Sequence, residues 1–121
     1  MTDNNTNSLA SFLTQIKQQE STIEFEQVMQ VITDNYQYQP AKFTNGELIN
    51  EQGTNEGSCK IFYFAQLNKL TPEQTLACFG RYYRDDVLAH PNGTDHGNIR
   101  NFMKTGWNGV EFKTIALLPI A

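Results

Sequence analysis

The sequence predicts a single mainly helical domain of the α+β class, with about five helices and a small β-hairpin or short sheet. Three observations carry that expectation. Apolar residues recur at helical spacing through most of the chain, an Asn-Gly pair between two short extended runs interrupts them near the middle, and no repeat or linker divides the whole. At 121 residues the chain is long enough for one core, and although only 39% of it is apolar, eight Phe, five Tyr and one Trp supply large surfaces to bury. The polar start, residues 1–7, reads as a flexible leader to a domain over 8–121.

Each element has a local signature. Ser8 is a candidate cap for a first helix with Leu9, Phe12, Leu13 and Ile16 on one stripe. Ser21 and Glu24 have the spacing of a capping box before Phe25, Val28, Met29, Ile32 and Tyr36. The run FTNGEL, Phe43 to Leu48, predicts a two-residue hairpin. From Ser58 the pattern SCKIFYFAQLNKL is apolar nearly all round, so that helix should form the centre of the fold. Thr71, Pro72 and Gln74 start a further helix, expected to run to about Ala89. After a turn at Pro91, Thr94 or Asp95 should cap a short helix through Ile99, Phe102 and Met103, ended by Gly106. Val110 and Phe112 then alternate with Glu111 as in a strand, and the apolar tail IALLPIA should dock on the core.

Between Arg81 and Trp107 both histidines lie among arginines and aspartates. On one continuous helix from Pro72, Leu76, Phe79, Gly80, Tyr83 and Val87 face the core, and Asp86 lands at the edge of that stripe. Asp85 turns to water beside Arg81. A carboxylate at an apolar edge requires a donor, and Arg84, His90 and Arg100 are the candidates, with an Asp86–Arg100 pair tying two helices together. In this reading Tyr83, Arg84, Asp86, His90, Asp95, His96 and Arg100 form a cluster that chiefly organises the fold.

Three sharper chemistries compete with it. Asp86, His90, Asp95 and His96 carry ligand types suited to zinc or another divalent ion, in a spacing that matches no established motif. Cys59, near a helix start beside Lys60, could act as a nucleophile completed by His96 and Asp95. The stretch GTNEGSCK places Ser58 and Lys60 where a helix start could hold an anion, without the Walker order.

Nine basic against thirteen acidic residues give a net charge of −4, which argues against a nucleic-acid partner. No segment has the length and apolarity of a membrane span, and the N-terminus lacks a Sec-type signal. Two cysteines suit a reducing cytoplasm, and no motif calls for a cofactor. The expected partner is an unidentified protein or small molecule.

The strings FTNGELIN, GSCKIF and LACFGRYYRDDVLAHPNGTDHGNIRNFMKTGW, in this order, resemble the HopJ type III effector family from about Leu9 to Phe112. The resemblance implies a bacterial protein and allows export by a type III system, with the cytoplasm the expected location. It carries over no catalytic residues. Two classes therefore stay open: a small soluble binding or interaction protein, and an enzyme or ligand-binding domain using the Asp86, His90, Asp95 and His96 cluster with Cys59.

Overall fold

The computed structural model describes residues 4–120, with side chains from Ser8 onward. Helix α1 spans Asn4–Gln18 and buries Phe12 and Ile16. It begins one turn before Ser8, so Ser8 lies inside the helix rather than capping it; residues 1–3 of the expected leader fall outside the described residues. A 3-10 turn at Glu20–Thr22 takes up Ser21, and Ile23 is fully buried in extended conformation after it. The next helix, α2 (Phe25–Asn35), is therefore capped one turn later than the sequence suggested: the Glu24 amide donates to Gln27 Oε1 at 3.3 Å.

Tyr36 leaves the helical stripe. It opens β1 (Tyr36–Tyr38), while the hairpin forms β2 (Phe43–Asn45) and β3 (Leu48–Asn50), with Gly46 at φ 62 in the turn. That left-handed value is what the Asn-Gly signal supplies, although Gly46 and Glu47 make the two-residue loop and Asn45 stays in the strand, fully buried.

The central helix, α3 (Glu56–Leu67), starts two residues before Ser58 and buries Cys59, Ile61, Phe62, Phe64 and Ala65. Phe62 is its hub: the rings of Phe43, Phe79, Phe102 and Trp107 lie 5.9, 5.6, 5.0 and 6.2 Å from it, centre to centre. Each such ring pair contributes about 1 kcal/mol beyond its buried area, so the expected centre of the fold is the real one.

Helix α4 (Pro72–Ala77) has the expected cap, with the Gln74 amide donating to Thr71 Oγ1 at 3.1 Å and the Thr71 amide to Gln74 Oε1 at 2.9 Å. It does not continue to Ala89. Gly80 takes φ 59, and the chain resumes as a wider π-helical turn over Tyr82–Val87. A Cβ at Gly80 would stand 2.6 Å from the amide nitrogen of Phe25, so glycine allows the start of α2 to press against this break.

After the loop at 88–96, α5 (Gly97–Thr105) buries Ile99 and Phe102, leaves Met103 exposed and ends at Gly106, φ 58. A 3-10 turn at Gly106–Gly109 leads to β4 (Val110–Phe112), with Val110 buried and Glu111 exposed. Strand β4 pairs antiparallel with β2 to give the sheet order β3-β2-β4, and the tail forms β5 (Leu117–Pro119), antiparallel to β1. Among the described residues, no helix is long and apolar enough to cross a membrane.

Candidate functional site

Two helix starts meet at one cleft. Helix α3 begins after Asn55 and helix α5 after His96, and both cap residues adopt left-handed backbone, φ 49 and 52. The cleft between them has a volume of about 350 Å³; Phe25 and Tyr82 wall it, and Asn55, Ser58, His96 and Asn98 supply its polar groups. Phe25 and Tyr82 meet edge to face at 5.2 Å, and the His96 ring lies 5.4 Å from Tyr82. Neither Asn55 nor His96 uses its side chain to cap its own helix. Each is held away by a different partner.

For His96 that partner is Asp86. His96 Nε2 lies 3.0 Å from Asp86 Oδ2, and because a carboxylate accepts, the ring nitrogen carries the proton. Asp86 is thus turned toward the protein and Asp85 toward water, as the sequence indicated, but the Asp86 carboxylate remains 48% exposed and its donor is His96 rather than Arg100. Arg100 instead staples the preceding loop: Nε donates to the Asp95 carbonyl at 2.6 Å, Nη1 to the His90 carbonyl at 2.9 Å and Nη2 to Asp95 Oδ1 at 2.8 Å. That guanidinium holds the exposed Asp95 carboxyl below the usual carboxylate range. His90 is exposed and donates from Nδ1 to the Asp86 main-chain carbonyl at 3.1 Å, so it does not meet the Asp86 carboxylate.

The arginines of the π-helical turn also differ from expectation. Arg81 stands 3.7 Å from Glu24, and the expected Arg81–Asp85 ion pair does not form. Arg84 Nη1 donates to the Ile23 carbonyl at 2.7 Å, and its Nη2 lies 3.6 Å from Glu24. Tyr83 packs against the core as expected, and burial pushes its phenol up.

For Asn55 the partner is Asn50. Asn55 Nδ2 donates to Asn50 Oδ1 at 2.6 Å, and Asn50 in turn exchanges two hydrogen bonds with Asn98, at 2.9 and 3.1 Å. Asn45, Asn50 and Asn98 are buried, and together they join the hairpin to the starts of α3 and α5. Sequence reasoning missed this group. Asn45 was legible as a turn residue, but buried asparagines brought together from β2, β3 and α5 leave no local pattern.

The competing chemistries do not assemble as the sequence proposed. Cys59 is fully buried, its Sγ 3.7 Å from the Ala41 carbonyl, and burial pushes its thiol up, which disfavours the thiolate a nucleophile needs. His96 and Asp95 do come together, at 3.8 Å, but His96 lines the cleft and Cys59 does not. Of the metal candidates, Asp86 and His96 bond to each other while His90 turns to main chain; among the described residues no three His, Cys, Asp or Glu side chains are placed to hold a metal ion. Ser58 lines the cleft. Lys60 does not, its ammonium lying over the Tyr38 ring at 4.7 Å.

Comparison with known proteins places this architecture. The family described as HopJ type III effector protein matches residues 9–117. The chain belongs to the HopJ family. A crystal structure described as that of VPA0580, a protein of unknown function, is 55% identical with a TM-score of 0.92, covering 93% of each chain. No match is found among curated proteins. HopJ membership thus agrees with the strings that suggested it and brings no specific activity.

Proposed function

We propose that this HopJ protein is a binding protein that takes a small ligand in the cleft between the starts of α3 and α5. One observation carries the reading: two cap side chains, Asn55 and His96, are diverted from their own helices and converge with an aromatic wall on a single concavity. Asn55 is a residue type whose capping would ordinarily stabilise its helix by about 1 kcal/mol, yet its side chain is bonded to Asn50 instead, as that of His96 is to Asp86. The cleft's volume of about 350 Å³ falls in the range of small-molecule sites, and its mixture of rings with a few convergent polar groups is their usual lining.

An enzyme using the same cleft is the second reading, favoured by the Asp86–His96 pair, which has the arrangement of an oriented acid–base histidine. The cytoplasm remains the proposed location, with type III export the competitor; a tagged chain found in the culture medium only when the secretion system is intact would reverse that order.

Binding is tested by screening small planar compounds against the isotope-labelled protein and mapping amide shifts. Hits are expected to move Phe25, Tyr82, His96 and Gly97. Shifts confined to the exposed apolar face at Leu67 and Ile115, or none at millimolar concentration, would refute the cleft as the site.

A further inference from the structure

The hydrogen-bond polarity of the cleft is set from behind it. The Asn98 main-chain carbonyl can only accept, and Asn45 Nδ2 donates to it at 2.8 Å and to Asn98 Oδ1 at 3.0 Å. With its oxygen turned that way, Asn98 gives Nδ2 to Asn50 Oδ1, and Asn50 Nδ2 returns to Asn98 Oδ1. Asn50 Oδ1 is then the acceptor that faces Asn55, which must present its own Nδ2. Flipping the first amide would set oxygen against oxygen, and the structure instead leaves Asn45 Oδ1 buried without a partner among the described residues.

Orientation thus passes from a main-chain carbonyl through four asparagines to the cleft that Asn55 lines, where its Nδ2 is taken by Asn50 and its side chain caps nothing. The facing wall repeats the logic. Asp86 fixes the proton on His96 Nε2, so in the neutral ring Nδ1 is a lone-pair acceptor, and it too caps nothing.

We propose that the cleft selects a planar ligand carrying N–H donors along one edge, of the amidine, guanidine or aminoheterocycle class. Its ring stacks on Phe25 and Tyr82, and its donors go to Asn55 Oδ1 and His96 Nδ1. The inference rests on the cleft being the ligand site. The Asp86 and Asp95 carboxylates, 3.0 and 3.8 Å from His96 Nε2, add a field that favours such donors. The two helix starts act in the other direction, since their free amides and dipoles favour an anion. Ligands of one shape and opposite hydrogen-bonding character therefore decide the matter.

Benzamidine, benzamide and benzoate present a donor, a mixed and an acceptor edge on the same ring. Binding of each is followed by amide shifts at about pH 8.5, above the ordinary histidine range. Benzamidine is expected to bind in the cleft at least about tenfold more tightly than benzoate, with benzamide between them. Asn55→Gly and His96→Gly suit the left-handed positions; each should weaken benzamidine by about threefold or more and leave benzoate unchanged. Benzoate binding as tightly as benzamidine, or benzamidine indifferent to both substitutions, would overturn the proposal while the cleft stood as a binding site. If neither these three nor any other planar compound moves the cleft amides, the binding function itself is wrong and this inference falls with it.

Discussion

Replacing Gly80 by alanine tests the junction that aims the site. Two costs add. Gly80 has φ 59, where an L-residue with a Cβ costs about 1 kcal/mol relative to glycine. The new Cβ would also stand 2.6 Å from the Phe25 amide nitrogen and 3.3 Å from two Glu24 main-chain atoms. Those atoms belong to the start of α2 and cannot swing aside as a side-chain end would, so separating the two segments is an overpacking cost of about 2 kcal/mol. The expected loss is about 3 kcal/mol, or about 12 °C in Tm for a domain of this size. Gly53→Ala is the control: its φ is 86, but nothing lies within 4 Å of the added atom, so it should lose only about 1 kcal/mol. Urea unfolding of both variants measures the difference. Equal losses would mean that the contact with α2 contributes nothing and that backbone conformation alone selects glycine at position 80.

Three further outcomes follow from the titrating groups and the loop. Burial pushes up the thiols of Cys59 and Cys78 and the phenols of Tyr38 and Tyr83, so the folded chain keeps protons that the unfolded chain releases. Their contribution to stability is complete below the unfolded thiol pKa of about 8.5 and declines as pH rises beyond it; the urea midpoint should fall from about pH 8.5 upward, less steeply in Cys78→Ala, and a flat profile would contradict this. Neither thiol should react appreciably with a disulfide reagent in native buffer, both should react in denaturant, and fast native labelling of Cys59 would restore it as a nucleophile. The Asp95 carboxyl is lowered chiefly by its bond to Arg100, so its contribution is present above the unfolded carboxyl pKa and lost as pH falls through the folded one. In Arg100→Met its carbon-detected titration should move up toward the ordinary range, and an unmoved curve would remove Arg100 as the cause.

Much of the fold was legible because its signals are local. The cap at Thr71, the glycine end at Gly106, the hairpin at Gly46 and the apolar wrap of α3 each depend on residues within about a turn of one another. The site was legible only in part. The sequence indicated that Asp86 turns inward and Asp85 outward, and that the His96 region is special, yet it assigned the wrong donor to Asp86 and the wrong partner to Arg81. Sequence reveals neither that the helix from Pro72 breaks where a glycine sits against another segment's backbone in left-handed geometry, nor which side chains from separate elements meet.

By itself, then, the chain determined where most helices and the hairpin lie, that the helix carrying Phe62 forms the centre of the fold, and which family the protein belongs to. Tertiary structure alone decided which partners the polar side chains meet. Asn45, Asn50, Asn55 and Asn98 come from distant parts of the chain, and Asp86 and His96 from either side of a stapled loop. Periodicity fixes a residue's place on its own element, whereas a hydrogen bond depends on the relative placement of two elements, which core packing sets.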